Sequence, residues 1–278
     1  MKANFKEELL KAKAGKYAIP AFNFDNLEMA KGIIAAAEAE NFPVILMVTE
    51  SAAKYIGLEY VYAIGKIAVE QSQVPLIFHW DHGFDIELIK RACDNGFSSV
   101  MLDASTKSFK ENVKLTNEIV DYAHARGVYV ESEIGHVGGK EDDRDSKETS
   151  FTDVNEAIEF NKLTGIDALA IAAGTAHGVF KSKPKLQYDL IEEIVNKLST
   201  PIVLHGSSGV PHEDLQKAIS LGITKINIGT DLKIAYAEAL KTWFVKNPQK
   251  FDARQFGSFA IEAVKKVAIE KIKVFKNQ

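Results

Sequence analysis

Val74-Pro75-Leu76-Ile77-Phe78-His79-Trp80-Asp81-His82-Gly83 begins as a short apolar strand behind a proline and ends in two histidines and a carboxylate. Burying such groups without partners is costly, so a strand that ends in them must open onto a polar site. Two other strand-like runs finish alike. Ala168 to Gly174 leads to His177-Gly178, and Ile202-Val203-Leu204 leads to His205-Gly206. Three histidines delivered by three separate strands can close on one metal.

Working outward, the chain alternates strand and helix eight times. Strands are read at 17–24, 43–49, 74–83, 99–103, 128–134, 168–174, 202–204 and 225–228. Helices are read at 27–41, 55–71, 85–95, 109–126, 153–163, 189–198 and 213–221. A short helix over 3–15 precedes them, and helices over 231–245 and from 258 onward close the chain. Near-continuous apolar strands alternating with helices make a parallel sheet covered on both faces. Eight units in 278 residues favour a single-domain (β/α)8 barrel with extra terminal helices over a doubly wound open sheet. Gly135 to Ser150 breaks the rhythm as a long polar loop, which is expected to be mobile or functional.

Composition narrows the partners. A formal charge of −4 gives no basic footprint for nucleic acid. No apolar run approaches membrane-spanning length, and the first residues lack the apolar core of a signal peptide. The single cysteine, Cys93, suits a reducing compartment. A cytoplasmic enzyme with no nucleic acid or membrane partner is the expectation.

In such a barrel the chemistry gathers at the carboxyl ends of the strands. Those positions hold Asn23 and Asp25, Thr49 and Glu50, Asp81 and His82, Asp103, Glu133, His177, His205 with Ser207 and Ser208, and Asn227 with Thr230. His82, His177 and His205 offer three neutral nitrogens, the usual protein share of a catalytic zinc. The glycine after each allows a sharp turn. Asp81, beside His82, is placed to move a proton at the reacting centre. Glu141 is either a second acid/base or one charge in a solvated run. His79 either orients a neighbour or simply packs, His136 is either solvated or near the site, and His124 and His212 read as surface residues. Gly206-Ser207-Ser208-Gly209 and Asn227-Ile228-Gly229-Thr230 follow strands seven and eight, where this fold usually binds phosphate.

These residues carry a resemblance over essentially the whole chain. Tyr17 to Asn23, His79 to Gly83, Ser99 to Ser105, Val130 to Gly135, Gly138 to Asp142, Gly174 to Gly178, Leu204 to Gly209 and Lys225 to Thr230 resemble the class II, zinc-dependent fructose-bisphosphate and tagatose-bisphosphate aldolases. The resemblance implies that His82, His177 and His205 hold Zn2+ and that Asp81 donates a proton to the aldehyde-derived oxygen. It implies that Glu141 removes a proton from dihydroxyacetone phosphate. Gly178, Gly206, Ser207, Ser208, Asn227, Ile228, Gly229 and Thr230 would bind that ketone, with Asn23 and Thr49 at the same mouth. Asp103 and Glu133 match carboxylates that orient the metal ligands or hold a second ion. A monovalent cation, Na+ or K+, accompanies the phosphate in the family, whose members assemble as homodimers or homotetramers.

The implied chemistry is reversible cleavage of a ketose 1,6-bisphosphate to dihydroxyacetone phosphate and glyceraldehyde 3-phosphate, with zinc stabilising an enediolate. The same chemistry on another ketose 1-phosphate stays open. So do a phosphosugar isomerase or epimerase, and a non-catalytic partner subunit. None of the strand cores or carboxyl ends carries a lysine read as poised for a Schiff base, which disfavours metal-free aldolase chemistry. Gly229 and the Gly174-Thr175-Ala176-His177-Gly178 run look like the tagatose type. Trp80 either packs outside the barrel or marks a subgroup. Arg254 lies where family members present a basic residue to the far phosphate, sometimes across a dimer; otherwise it is solvated.

Overall fold

Eight parallel strands close on themselves in the order β1-β10-β9-β8-β5-β4-β3-β2. They are β1 (Ile19–Asn23), β2 (Val44–Thr49), β3 (Leu76–Gly83), β4 (Ser99–Leu102), β5 (Tyr129–Ile134), β8 (Ala168–Ile171), β9 (Ile202–Leu204) and β10 (Ile223–Ile228). The computed structural model describes residues 3–141, 144–146, 149–180 and 182–276, with the backbone alone at Glu141, Arg144 and Asp145. The expected (β/α)8 barrel is therefore the fold. Among the described residues, no helix is long and apolar enough to cross a membrane.

Strand alternation divides the core into two layers. Outward side chains such as Phe22, Leu46, Phe78, Trp80, Val100 and Ile228 pack beneath the helices. Trp80 thus faces away from the mouth, edge-on to Phe97 at 5.6 Å between ring centroids. Inward apolar side chains Ile19, Ile45, Ile77, Ala168 and Val203 fill the lower barrel and meet α1 (Phe5–Gly15). Asn4 caps α1 by accepting from Glu7 N, and the helix ends at Lys16 with φ +54°. Phe5, fully buried, stacks on His79 at 5.7 Å. Helix α1 therefore plugs the amino-terminal end of the barrel.

Three boundaries differ from the sequence expectation. The helix read over 55–71 is two helices, α3 (Glu50–Ile56) and α4 (Leu58–Gln71), parted at Gly57 where φ is +96°. The last helix, α11 (Ala253–Phe275), starts earlier than Ser258 because Asp252 caps it. The polar loop contains an antiparallel hairpin, β6 (Gly139–Glu141) with β7 (Arg144–Ser146).

Candidate metal centre

His82 reaches the mouth by departing from the strand rule. Alternation sends Asp81 inward and would send its neighbour out. At His82, φ is +44°, a left-handed conformation uncommon outside glycine and worth about 1–3 kcal/mol of strain. The β3–β4 register also shifts between Trp80 and Gly83. Both effects bring the ring over the barrel end, so the sharp turn belongs to His82 itself. Gly83 serves close packing instead, since a Cβ there would sit 2.6 Å from Ile89.

His82 Nδ1 lies 3.0 Å from Asp103 Oδ2. Burial alone would raise the Asp103 pKa, but hydrogen bonds from His82 and Ser105 outweigh it and hold the group well below the usual carboxylate range. His82 thus donates from Nδ1 and can present Nε2. His205, fully buried at the end of β9, places Nε2 2.8 Å from Glu131 Oε1. Its Nδ1 carries no hydrogen bond and faces Glu133 Oε2 at 3.5 Å. His177 follows β8 and is gripped by the hairpin. Its carbonyl accepts from Lys140 N at 3.1 Å, and its N–H donates to Gly138 O at 2.9 Å.

One ligand atom from each of His82, His177 and His205 lies within 4.8 Å of the others. A tetrahedral zinc with nitrogens at about 2.0–2.1 Å spaces them about 3.4 Å apart, so small ring movements close the set on an ion. Burial first, then the neighbouring imidazoles, hold His177 and His205 well below the ordinary histidine pKa. They are therefore in the neutral, metal-ligating form. The donor set and the bare buried Nδ1 of His205 fit a zinc site. Asp103 and Glu133 stand beside the histidines in orienting positions.

Asp81 lies next to this cluster, fully buried. Its Oδ2 accepts from Asn23 Nδ2 at 2.9 Å and its Oδ1 from Asn227 Nδ2 at 3.1 Å. Asn227 is itself fixed, because its Oδ1 accepts from Lys225 Nζ at 2.8 Å. Lys225, fully buried in β10, also meets Glu131 Oε2 at 2.9 Å. A strand interior therefore carries a buried lysine, tied to its neighbours on the barrel wall. Its Nζ is engaged by the Glu131 carboxylate and the Asn227 amide oxygen rather than presented as a nucleophile. His79 is packed and fully buried, with Nδ1 2.8 Å from Ser99 Oγ. His124 and His212 are both at the surface, the first 2.8 Å from Asp167 and the second beside Glu270.

A cavity of about 470 Å³ adjoins the histidines. Asn23, His177, Gly178, Gly206 to Ser208, Asn227, Gly229 and Thr230 line it. Ser208 Oγ accepts from Asp231 N at 3.2 Å, tying the loop after β9 to the start of α10 (Thr230–Lys246). Lys140 and Lys233 also line the cavity and were missed in the sequence. Lys233 sits three residues after Thr230, hence on the same helix face, a spacing that could have found it. Thr49, by contrast, caps α3 by accepting from Ala52 N at 3.3 Å. Ile228 points into the outer core, so only its backbone can face a ligand. Arg254, with a 90% exposed side chain, pairs with Asp252. Thr49, Ile228 and Arg254 are not among the lining residues. The Glu141 side chain lies outside the described residues.

Known proteins resemble this chain over nearly its whole length. The model of the family described as "Fructose-bisphosphate aldolase class-II" matches residues 3–278. A fructose-bisphosphate aldolase from Geobacillus stearothermophilus is 45% identical over 275 residues, covering 98% of this chain and 96% of that protein. Among solved structures, the YdjI aldolase from Escherichia coli K12 is 37% identical with a TM-score of 0.88, over 99% of this chain and 97% of that one. A candidate fructose-1,6-biphosphate aldolase from Coccidioides immitis is 30% identical with a TM-score of 0.91, over 99% and 96% of the two chains.

Proposed function

Because the chain belongs to the class II fructose-bisphosphate aldolase family, a family of lyases, we propose that it reversibly cleaves fructose or tagatose 1,6-bisphosphate to dihydroxyacetone phosphate and glyceraldehyde 3-phosphate, with zinc held by His82, His177 and His205. The observation that carries the reading is the meeting of three imidazole nitrogens within 4.8 Å, beside a buried carboxylate and a cavity of about 470 Å³. Zinc, when bound there, acts as a Lewis acid on the substrate's oxygens.

The remaining work falls to the chain. Asp81, with both oxygens held by asparagine amides, moves the proton at the aldehyde-derived oxygen. Glu141, carried on β6, exchanges the proton on the dihydroxyacetone phosphate carbon. Backbone amides around Gly206 to Ser208 and the start of α10 take the phosphate, where a helix amino terminus favours an anion. Lys233 adds a positive charge on the cavity wall, and a monovalent cation would share that phosphate. Asp103, Glu131 and Glu133 orient imidazoles, the usual service of carboxylates behind metal-bound histidines.

The test is a coupled assay that traps triose phosphate from purified protein. Chelation is expected to abolish turnover and Zn2+ to restore it, with full turnover in excess chelator as the contradicting result. Formation of a single isomerised product, with no triose phosphate, would assign isomerase or epimerase chemistry instead. Relative specificity constants for the two bisphosphates decide the sugar.

A further inference from the structure

His136, half-buried just beyond β5, uses both ring nitrogens. Nδ1 lies 2.9 Å from Ser105 Oγ, and Nε2 lies 2.8 Å from Ser146 Oγ at the end of β7. Ser105 Oγ donates in turn to Asp103 Oδ1 at 2.7 Å, while Asp103 Oδ2 takes His82 Nδ1 at 3.0 Å. Donor counting sets the direction of the bonds around Ser105. A hydroxyl has one hydrogen, and Ser105 gives it to Asp103, so Ser105 accepts from His136 Nδ1–H. The other ring nitrogen, Nε2, is engaged by the Ser146 hydroxyl. An unbroken series of polarised bonds therefore runs from the hairpin to His82.

A second route meets the same hairpin from the other side. Gly138 and Lys140 hold His177 through two backbone hydrogen bonds. The hairpin thus engages two of the three clustered histidines, one through side chains and one through main chain. The His136 ring is not needed to hold its own backbone, because His136 and Ser150 already exchange bonds of 2.9 and 3.1 Å. Its side-chain bonds are available to do something else.

Resting on the assignment of His82 as a metal ligand, we infer that His136 is a positioning residue coupling the β6–β7 hairpin to the metal centre. Metal uptake fixes His82 and Asp103, which fixes Ser105 and His136, which docks Ser146. Reciprocity requires that a docked hairpin tighten metal binding by the same factor. Partners directly behind a metal-bound histidine are typically worth about 10–100-fold in affinity. His136 stands farther out, so about 3–10-fold is expected on the same scale.

The experiment uses the full chain with His136→Ala and His136→Asn. Three readouts are zinc affinity by chelator competition, the d–d spectrum of the Co2+-loaded protein, and the rate of tryptic cleavage after Lys140 and Arg144 with and without zinc. In the wild type, zinc should slow cleavage. His136→Ala should bind zinc about 3–10-fold more weakly, shift the cobalt spectrum and lose the protection. His136→Asn keeps an N–H near the Nδ1 position but has no counterpart of Nε2. It should recover part of the affinity without recovering the protection. If His136→Ala keeps wild-type affinity and protection, or if Asn matches Ala in affinity, the coupling is wrong. Should the His136 variants not fold, Ser146→Ala must lose the protection with unchanged thermal unfolding, and retained protection overturns the coupling. A wild-type chain that takes up no zinc would sink the metal assignment itself, which is a separate failure.

Discussion

Lys225 carries an ammonium into the middle of the barrel, where it meets Glu131 and Asn227. Removing one member of a buried ion pair leaves the other charge without compensation and typically costs about 3–5 kcal/mol. Lys225→Met should therefore lower unfolding stability by about that much, measured by urea denaturation. Lys225→Met combined with Glu131→Gln should lose distinctly less, because the neutral amide can still accept from His205. A double variant no better than the single one would show that charge is not the issue. Lys225 was legible in principle, being two residues before Asn227 and so on the same strand face. It escaped notice because lysine in a strand reads as an exposed edge residue until the barrel closes around it.

His79 supplies a pH prediction at the same scale. Burial first, then the charge of Lys225, push its pKa well below 6.5, whereas in the unfolded chain it returns to about 6.5. The unfolded state then binds the extra proton first as pH falls. The stability His79 contributes is fully present above about pH 6.5 and is lost below it, at about 1.4 kcal/mol per pH unit down to the folded pKa. His79→Gln keeps a partner for Ser99 and should flatten the stability profile of the metal-free protein between about pH 6.5 and 5. An unchanged slope would exclude this histidine as a source of acid sensitivity.

Among elements, the hairpin and α1 repay most attention. Gly139 has φ +104°, and a Cβ there would overlap the His177 backbone. Gly139→Ala should therefore unseat the hairpin from His177 and weaken zinc binding, with a stability loss of at least about 1 kcal/mol. Chelator competition reports the first effect and thermal melting the second. At the opposite end, Phe5→Ala opens a hole beneath His79 and should cost about 3–5 kcal/mol, read by denaturant titration. The helices were readable from their caps, as with Asn26 ahead of α2 (Leu27–Glu40) and Asp153 ahead of α7 (Val154–Thr164). The hairpin was not, because Gly139 to Ser146 has neither apolar alternation nor a two-residue glycine turn. Its strands are held by docking against His136 and His177 rather than by their own composition.

For the molecule as a whole, the repeat of apolar strand and helix pointed to a parallel sheet covered on both faces, and eight units in this length favoured the closed barrel over an open doubly wound sheet. Most of the mouth was legible for the same reason, Asn23, Asp81, His205 and Asn227 being the last inward residues of their strands. His82 was found for its chemistry although its parity points the wrong way; a left-handed residue is invisible to any periodic rule. Lys140, Lys233 and the Ser105–His136–Ser146 series depend on how loops fold over the rim, and loop paths follow from tertiary contact rather than from local pattern.

The helix lodged under the barrel shuts its lower end, so among the described residues the way in lies above the histidines. Reactant and both fragments must use the same opening above the histidines, so the fragment nearer the solvent has to depart before the one behind it. Turnover should then show an ordered release: one triose phosphate inhibiting competitively against the bisphosphate and the other in mixed fashion.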